Sequence, residues 1–278
     1  MSEIKRPLEG IKVVELATFI AAPCCARFLA DLGAEVIKIE APAGDPLRYT
    51  AVNEGRPQDQ KENTTYDLEN ANKTCIALNT KSPAGREALE KLIAEADIFI
   101  TNWRQNPLKK AGLDYDTLHA RYPKLVYGFV SGYGEKGPDK DLPGFDFTAF
   151  FARGGILGTL FDKDALPMLT IAGFGDHQVG MYLASGVLAA LYRARETGKG
   201  ESIGVAQYEV LVRLQADYLI NGLNYGMQAE RTGVYGNTVV AIPGVQMCKD
   251  GNYIMSAIGG TPVFKKFEKL MGLENDPD

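Results

Sequence analysis

The sequence predicts an α/β fold: an open, mostly parallel sheet flanked by helices. Three observations predict it. Short apolar runs alternate with helical patterns along most of the chain, as in folds built on parallel sheets. Strand, helix and strand are complete between Ile11 and Ile39, a βαβ unit with a right-handed crossover. The chain has 278 residues, 45% of them hydrophobic. At that size about 75% of the unfolded surface is buried on folding, so neither metal nor disulfide is needed.

In chain order, IKVVEL at Ile11–Leu16 reads as a buried strand. Pro23 suits the first turn of a helix that ends at Leu32, before Gly33. EVIKI at Glu35–Ile39 is the second strand. Ala41 to Asn72 is polar and reads as one long irregular loop, a length that marks function or mobility. TCIAL at Thr74–Leu78 is the third strand. Ser82 caps a helix that opens at Pro83 and runs to Ala94. Asp97–Thr101 is the fourth strand. A short helix over Asp114–Arg121 precedes a fifth strand at Leu125–Val130, and Phe145–Arg153 reads as a helix. In sheets of this kind ligands bind beyond the carboxyl ends of the strands. Those ends here include Ala17–Ala22, Glu40–Asp45, Asn79–Lys81 and Asn102–Arg104.

The stretch from Gly173 to Glu201 organises the rest. Val179, Tyr182, Leu183, Val187, Leu188, Leu191 and Tyr192 recur at helical spacing, which predicts one buried face. Asp176 stands just before this pattern, among Gly173, Gly175 and Gly180. Two readings apply. Asp is a favoured N-cap. It is also a candidate catalytic carboxylate, with glycines that let a large substrate approach. Spacing does not choose between them. A sixth strand is expected at Ser202–Ala206 and a single long helix over Gln207–Tyr225. Beyond it come a linker to Gly244, a hairpin of Val245–Cys248 with Tyr253–Ile258, and a helix over Pro262–Met271. The expected domains are residues 1–225 and a small α+β unit from 226 to 278.

Composition narrows the function. The net charge of −5 argues against nucleic acid as partner. No run of 18 apolar residues supports a membrane helix, and the N-terminus lacks a signal-peptide core, so a cytoplasmic protein is expected. Four cysteines without a CxxC pair, and two histidines, make a metal site unexpected. The turn after the first strand is not GxGxxG, so the dinucleotide fingerprint is absent there, and no GxxxxGK(S/T) P-loop occurs.

Several blocks together resemble the family III CoA-transferases, the CaiB–BaiF family. They are LEGIKVVEL at Leu8–Leu16, LGAEVIKIE at Leu32–Glu40, NANKTCIALNTKSPAGRE at Asn70–Glu87 and EADIFITNWR at Glu95–Arg104. GLDYDTL at Gly112–Leu118, GYGEKGP and PGFDFTAFFARGG between Gly132 and Gly155, GFGDHQVG and ETGKGE complete the set. Within the family the chain is similar to transferases of 2-hydroxy acids from anaerobic amino-acid fermentation, and in part to the carnitine enzyme.

The resemblance implies a large Rossmann-like domain, a small domain and an interlocked homodimer. The chain stops at Asp278, inside what resembles the small domain, short of the family pattern. The resemblance implies Asp176 as the nucleophile, attacking an acyl-CoA to form an aspartyl anhydride. Coenzyme A enters as acyl-CoA substrate, with a small carboxylic acid as the other partner. By family position Lys110 and Lys73 are basic CoA contacts, and Asn102 and Trp103 form an adenosine-side pair. Each also has a plainer reading: Lys110 as a solvated lysine, Asn102 as a turn cap, Trp103 as core. Lys38 either approaches phosphate or snorkels from the strand end.

Against the oxalate-utilising members, Ile20 replaces Gln and Ala41 replaces Arg. The residues Gly236–Gly244 replace a glycine run with an apolar loop, which suits a larger, less polar acyl group. Phe19, Phe147, Phe150 and Phe151 are candidates to line that pocket, against plain core packing. The racemase branch of the fold needs His where this chain has Phe145, so one proton carrier is missing. A non-catalytic CoA-binding or dimerisation fragment is the alternative of a different class.

Overall fold

A computed structural model describes residues 5–59, 62–158, 166, 170–227, 245–255 and 261–274. The chain divides into two units. One comprises Met1–Ile156 and Leu169–Ile220, the other Leu157–Met168 and Asn221–Asp278.

The larger unit is built on six strands: β1 (Lys12–Leu16), β2 (Glu35–Glu40), β3 (Thr74–Ala77), β4 (Ile98–Thr101), β5 (Val126–Ser131) and β6 (Ser202–Ala206). Their order is β3-β2-β1-β4-β5-β6, and every pairing is parallel. Val14 lies between Ile37 and Phe99 in register. The order reverses between β1 and β4, which opens a crevice at their carboxyl ends. Helix α1 (Ala21–Asp31) links β1 to β2, and α3 (Pro83–Ala94) links β3 to β4. Ser82 caps α3 through the Gly85 amide, 3.2 Å away. One face of the sheet buries Val14, Phe99, Tyr127 and Phe129 against Leu89, Ile93 and Leu118.

The stretch read as a loop is partly helical. It contains turns of 3-10 helix at Pro46–Tyr49 and Ala51–Glu54, then helix α2 (Thr64–Asn70). Asn63 caps α2 by accepting from the Tyr66 amide at 3.1 Å. Helix α4 (Gln105–Ala111), whose bounds the sequence reading did not give, follows β4 and ends at left-handed Gly112. Helix α5 covers Tyr115–Arg121. Residues Asp146–Arg153 form a π-helix, a wide turn found mostly at functional sites.

Helix α6 (Phe174–Thr197) packs along α1 and over β5 and β6. Its buried stripe is Val179, Gly180, Leu183, Ala184, Val187, Ala190, Leu191 and Ala194. Tyr182 and Tyr192, expected in that stripe, are 42% and 73% exposed. Small residues take their place because the helices approach closely. A Cβ on Gly180 would lie 2.7 Å from the Ala21 carbonyl oxygen. The predicted helix over Gln207–Tyr225 is two, α7 (Gln207–Leu214) and α8 (Ala216–Tyr225). They break at Gln215, whose amide nitrogen donates to the Gly154 carbonyl at 2.7 Å. No glycine or proline announces that break.

The smaller unit contains an antiparallel pair, β7 (Val245–Met247) and β8 (Tyr253–Met255). Gly251, at φ 82°, turns the chain between them. Helix α9 (Thr261–Met271) follows. Ser256–Ile258 of the expected hairpin and the loop Gly236–Gly244 lie outside the described residues. Among the described residues, no helix is long and apolar enough to cross a membrane.

A buried ion lattice fastens the first two strands. Lys38 binds Glu15 at 2.6 Å and Asp45 at 2.9 Å, and Lys73 binds the other Glu15 oxygen at 2.7 Å. All four side chains have zero solvent exposure. Burial opposes the charged form of Glu15, but Lys73 and Lys38 outweigh it and hold the carboxyl below its usual range. Removing one member of such a lattice strands a buried charge. Lys38→Met should therefore destabilise the protein by about 3–5 kcal/mol, read as a lower urea midpoint, and an unchanged midpoint would refute this.

A second prediction concerns acid. Burial favours protonation of Glu40, but bonds from Arg48, Tyr66 and the Asp45 amide outweigh it and hold Glu40 at about 2. This depressed carboxyl contributes stability above its unfolded value of about 4.3. The contribution should drain away as pH falls from there through 2. Arg48→Met should flatten that part of the stability curve.

Candidate functional site

The crevice between β1 and β4 is lined by the segments after β1 (Thr18–Ala21) and after β4 (Asn102–Gln105), and by the end of β5 (Ser131) with the following Gly132. Lys140, Leu142, Gly144, Phe145, Asp176 and Gln207 also line it.

Asp176 is not the N-cap of α6. Gly173, in the left-handed region at φ 82°, takes that position, and Asp176 is the third residue of the first turn. The turn is capped from elsewhere: Asp146, at the start of the π-helix, accepts from the Gly175 amide at 3.0 Å. That contact demands glycine. A Cβ at position 175 would lie 2.3 Å from the Asp146 Oδ1 and 2.5 Å from the Phe150 ring. The Asp176 carboxylate accepts a short hydrogen bond from the Gln207 side-chain amide. Burial, and then the nearby Asp146 charge, push the Asp176 carboxyl up to about 7, against the Gln207 bond and the pull of His177. A carboxyl at that value is matched to chemistry near neutral pH. His177 binds the buried Glu69 of α2 at 2.7 Å, which raises the imidazole above its ordinary value.

Beside this carboxyl the wall is aromatic. Phe19 and Phe145 meet edge to face, with centroids 6.2 Å apart and planes at 87°. Phe19 has φ 63°, a strained value for a bulky residue. Its amide donates to Asp45 at 3.1 Å, and Asp45 is itself held by Lys38. Thr18 is fixed just as firmly. Its amide donates to the Asn102 side chain at 3.1 Å, and its carbonyl accepts from the same side chain at 2.7 Å.

The structure brings some expected residues together and not others. Asp176, Asn102 and Trp103 share the crevice. Asn102 spends its side chain on Thr18, and Trp103 also packs against the sheet core. Lys110 is exposed on α4, outside the crevice lining. Lys38 and Lys73 are turned inward. Their ammonium groups are bound to Glu15, Asp45, Ala17, Pro23 and Asn70, so neither is open to a phosphate. Lys38 does not snorkel either. The cations that do line the crevice are Arg104 and Lys140. Of the four phenylalanines proposed for the pocket, only Phe19 lines it. Phe150 and Phe151 are core, and Phe147 is outside the lining. Phe145, weighed only as a missing histidine, is 53% exposed on the crevice wall.

Asp146, Gln207 and Phe145 are the site residues that sequence reasoning missed. One signal was available for Gln207: it is the first residue beyond β6, and carboxyl ends of parallel strands hold ligands.

Comparison with known proteins gives the family. The chain is 58% identical over 229 residues to the cinnamoyl-CoA:phenyllactate CoA-transferase of Clostridium sporogenes. That alignment takes in 80% of the chain and 56% of the relative. It is 45% identical over 251 residues to the (R)-2-hydroxy-4-methylpentanoate CoA-transferase of Clostridioides difficile, covering 90% of the chain and 62% of the relative. The chain thus spans under two thirds of the length of these two relatives. A crystal structure of a CaiB/BaiF family protein from Brucella suis superposes with a TM-score of 0.85 at 33% identity. The superposition covers 98% of this chain and 71% of that one. The family model of CoA-transferase family III matches residues 8–278. The chain belongs to CoA-transferase family III.

Proposed function

We propose that the protein transfers CoA from an enoyl-CoA such as cinnamoyl-CoA to a 2-hydroxy acid such as (R)-phenyllactate, with Asp176 as nucleophile. The observation that carries the reading is a half-buried carboxyl at the first turn of α6, facing a crevice at the sheet's switch point. The names of the two relatives, a phenyllactate and a 2-hydroxy-4-methylpentanoate transferase, support the acid class.

The chemistry balances without ATP. An Asp176 oxygen attacks the thioester carbon, the C–S bond breaks, and CoA leaves as thiolate with an aspartyl anhydride behind it. The thiolate attacks the aspartyl carbonyl and releases the donor acid, leaving CoA on Asp176. The acceptor carboxylate attacks that thioester, and the thiolate then takes the acceptor acyl group. Asp176 returns as carboxylate, and no net proton is consumed. Trp103 offers a flat surface beside the crevice, and Arg104 and Lys140 offer charge to the anionic CoA. Lys110 remains available to phosphate beyond the crevice. Racemisation needs two positioned proton carriers, and Phe145 supplies none. A cytoplasmic homodimer belongs to the same reading, supported by family membership.

The test is to incubate the protein with cinnamoyl-CoA, add hydroxylamine, and map the peptides by mass spectrometry. An acyl-CoA-dependent hydroxamate at Asp176 is expected. A folded protein that binds CoA but forms no adduct would instead support a binding fragment. Asp176→Asn should fold normally and lose transfer altogether; near-normal turnover by that variant sinks the assignment. Only the carboxylate attacks, and its folded value is about 7. The kcat/KM of the unaltered protein should therefore fall about tenfold per pH unit below 7 and level off above it.

The edge-to-face pair Phe19–Phe145 supports an aryl side chain over an alkyl one, because stacking geometry favours a second ring. Phe145→Leu should lower kcat/KM for phenyllactate about tenfold relative to 2-hydroxy-4-methylpentanoate, a difference of about 1.4 kcal/mol. Best turnover with oxalate would overturn the acid class.

A further inference from the structure

Two buried side chains flank Asp176, and each leaves one polar atom unsatisfied. Asp146 is buried at the start of the π-helix. Its Oδ1 accepts from the Gly175 amide at 3.0 Å, while its Oδ2 has no partner at hydrogen-bond geometry among the described residues. Burial raises this carboxyl above its ordinary value, and the nearby amides of Gly175, Gly173 and Asp176 favour its charged form. Gln207 is buried at the start of α7. Its Nε2 donates to Asp176 Oδ1, while its Oε1 has no partner among the described residues. Unsatisfied buried polar atoms are costly and rare in folded proteins. Two of them, on separate elements around one carboxyl, are poor design for stability. They are what a site looks like when charge placement takes precedence. Packing offers no slack either. Gly175 has no room for a Cβ beside Asp146, and a Cβ on Gly144 would lie 3.0 Å from the free Gln207 Oε1.

We propose that Asp146 and Gln207 are opposed positioning residues for Asp176. Gln207 restrains Oδ1 and leaves Oδ2 as the attacking oxygen, while the Asp146 charge repels the carboxylate until acylation removes its charge. The proposal rests on the reading of Asp176 as nucleophile. In the acylation step Asp176 Oδ2 forms a bond to the thioester carbon, the C–S bond breaks, and the negative charge passes to the departing thiolate sulfur. Repulsion between Asp146 and Asp176 is therefore present before the step and relieved by it, which favours attack. Gln207 works the other way before the step. Its N–H stabilises the anion, so the reactive form exists near neutral pH, and it holds the carboxyl plane in one orientation.

The groups facing Asp176 come from four elements: Asp146 from the π-helix, Gln207 from α7, Glu69 from α2 and Cys24 from α1, with His177 beside it on α6. Burial keeps the Cys24 thiol protonated, and Glu69 is engaged by His177. Asp146 and Gln207 are thus the two partners whose replacement should move Asp176 in opposite directions. A merely structural role would not give opposite signs.

The experiment compares Asp146→Asn and Gln207→Met with the unaltered protein. The 13C shift of the Asp176 carboxyl carbon, assigned by its loss in Asp176→Asn, is followed against pH. Asp146→Asn should move the midpoint down, because it removes a repelling charge while an amide oxygen still accepts from Gly175. Gln207→Met should move it up, because the bond to the anion is lost. The acid limb of the kcat/KM profile with cinnamoyl-CoA should shift in the same two directions. Gln207→Met should also lower kcat about 10²-fold with KM for the acyl-CoA nearly unchanged. Midpoints that stay put, or move the same way in both variants, overturn the proposal. Should Gln207→Met fail to fold, Gln207→Glu replaces it and must move the midpoint up. The carboxyl titration does not depend on turnover. A protein that shows the opposed shifts but forms no aspartyl adduct refutes the transferase reading, whereas an active protein without them refutes this inference.

Discussion

The structure depends first on the pairing of Lys38 and Lys73 with Glu15 and Asp45. Glu15 is on β1, Lys38 on β2, Asp45 in the turn after β2, and Lys73 just before β3. The lattice therefore joins three strands at the end of the sheet where the crevice opens. Two ammonium groups and two carboxylates without solvent are tolerable only because each satisfies another at hydrogen-bond distance. Its reach extends to the site through Asp45, which receives the Phe19 amide. That bond helps to hold a bulky residue in a left-handed conformation, so a strained ring on the crevice wall is coupled to a rigid charge lattice beneath it.

The Asp176 carboxyl that lines the crevice is governed by a different balance. Burial and the Asp146 charge favour its protonated form, while Gln207 and His177 favour the anion. The first pair outweighs the second and pushes the carboxyl up to about 7, close to neutrality. The close glycine at 175 makes this possible. It lets Asp146 cap the α6 turn from another element and brings its charge near Asp176. Helix capping and electrostatic tuning are thus done by one residue, and Asp176 is free of the capping role that its position suggested.

Much of the fold was legible in the sequence. The inner strands β1, β2, β4 and β5 were readable because buried strands are short continuous apolar runs, and the edge strands β3 and β6 from their alternation with helices. Helix α3 was readable from Ser82 and Pro83, whose signals are local. The parts that were not legible depend on long-range partners. The break at Gln215 follows from a bond to Gly154, and Tyr182 and Tyr192 stay outside because small residues let α6 settle on α1. No residue beside Gln215 announces its bond, and that Gly180 meets α1 is decided by the Ala21 carbonyl, far from it in the chain.

The site divides along the same line. Sequence by itself singled out Asp176, because a carboxylate among glycines before a long apolar helix is a local pattern, and its family motif is contiguous. It also placed Asn102 and Trp103 at a strand end, where parallel sheets hold ligands. It misjudged Lys38 and Lys73, because a lysine's role depends on whether a carboxylate faces it, and Glu15 lies 23 and 58 residues away. Only the tertiary structure decided that these lysines serve the lattice, that Phe19 and Phe145 form the wall, and that Asp146 and Gln207 flank the carboxyl. Charge state and access are set by what converges in space, and residues 31 positions apart, such as Asp176 and Gln207, converge only when the sheet is complete.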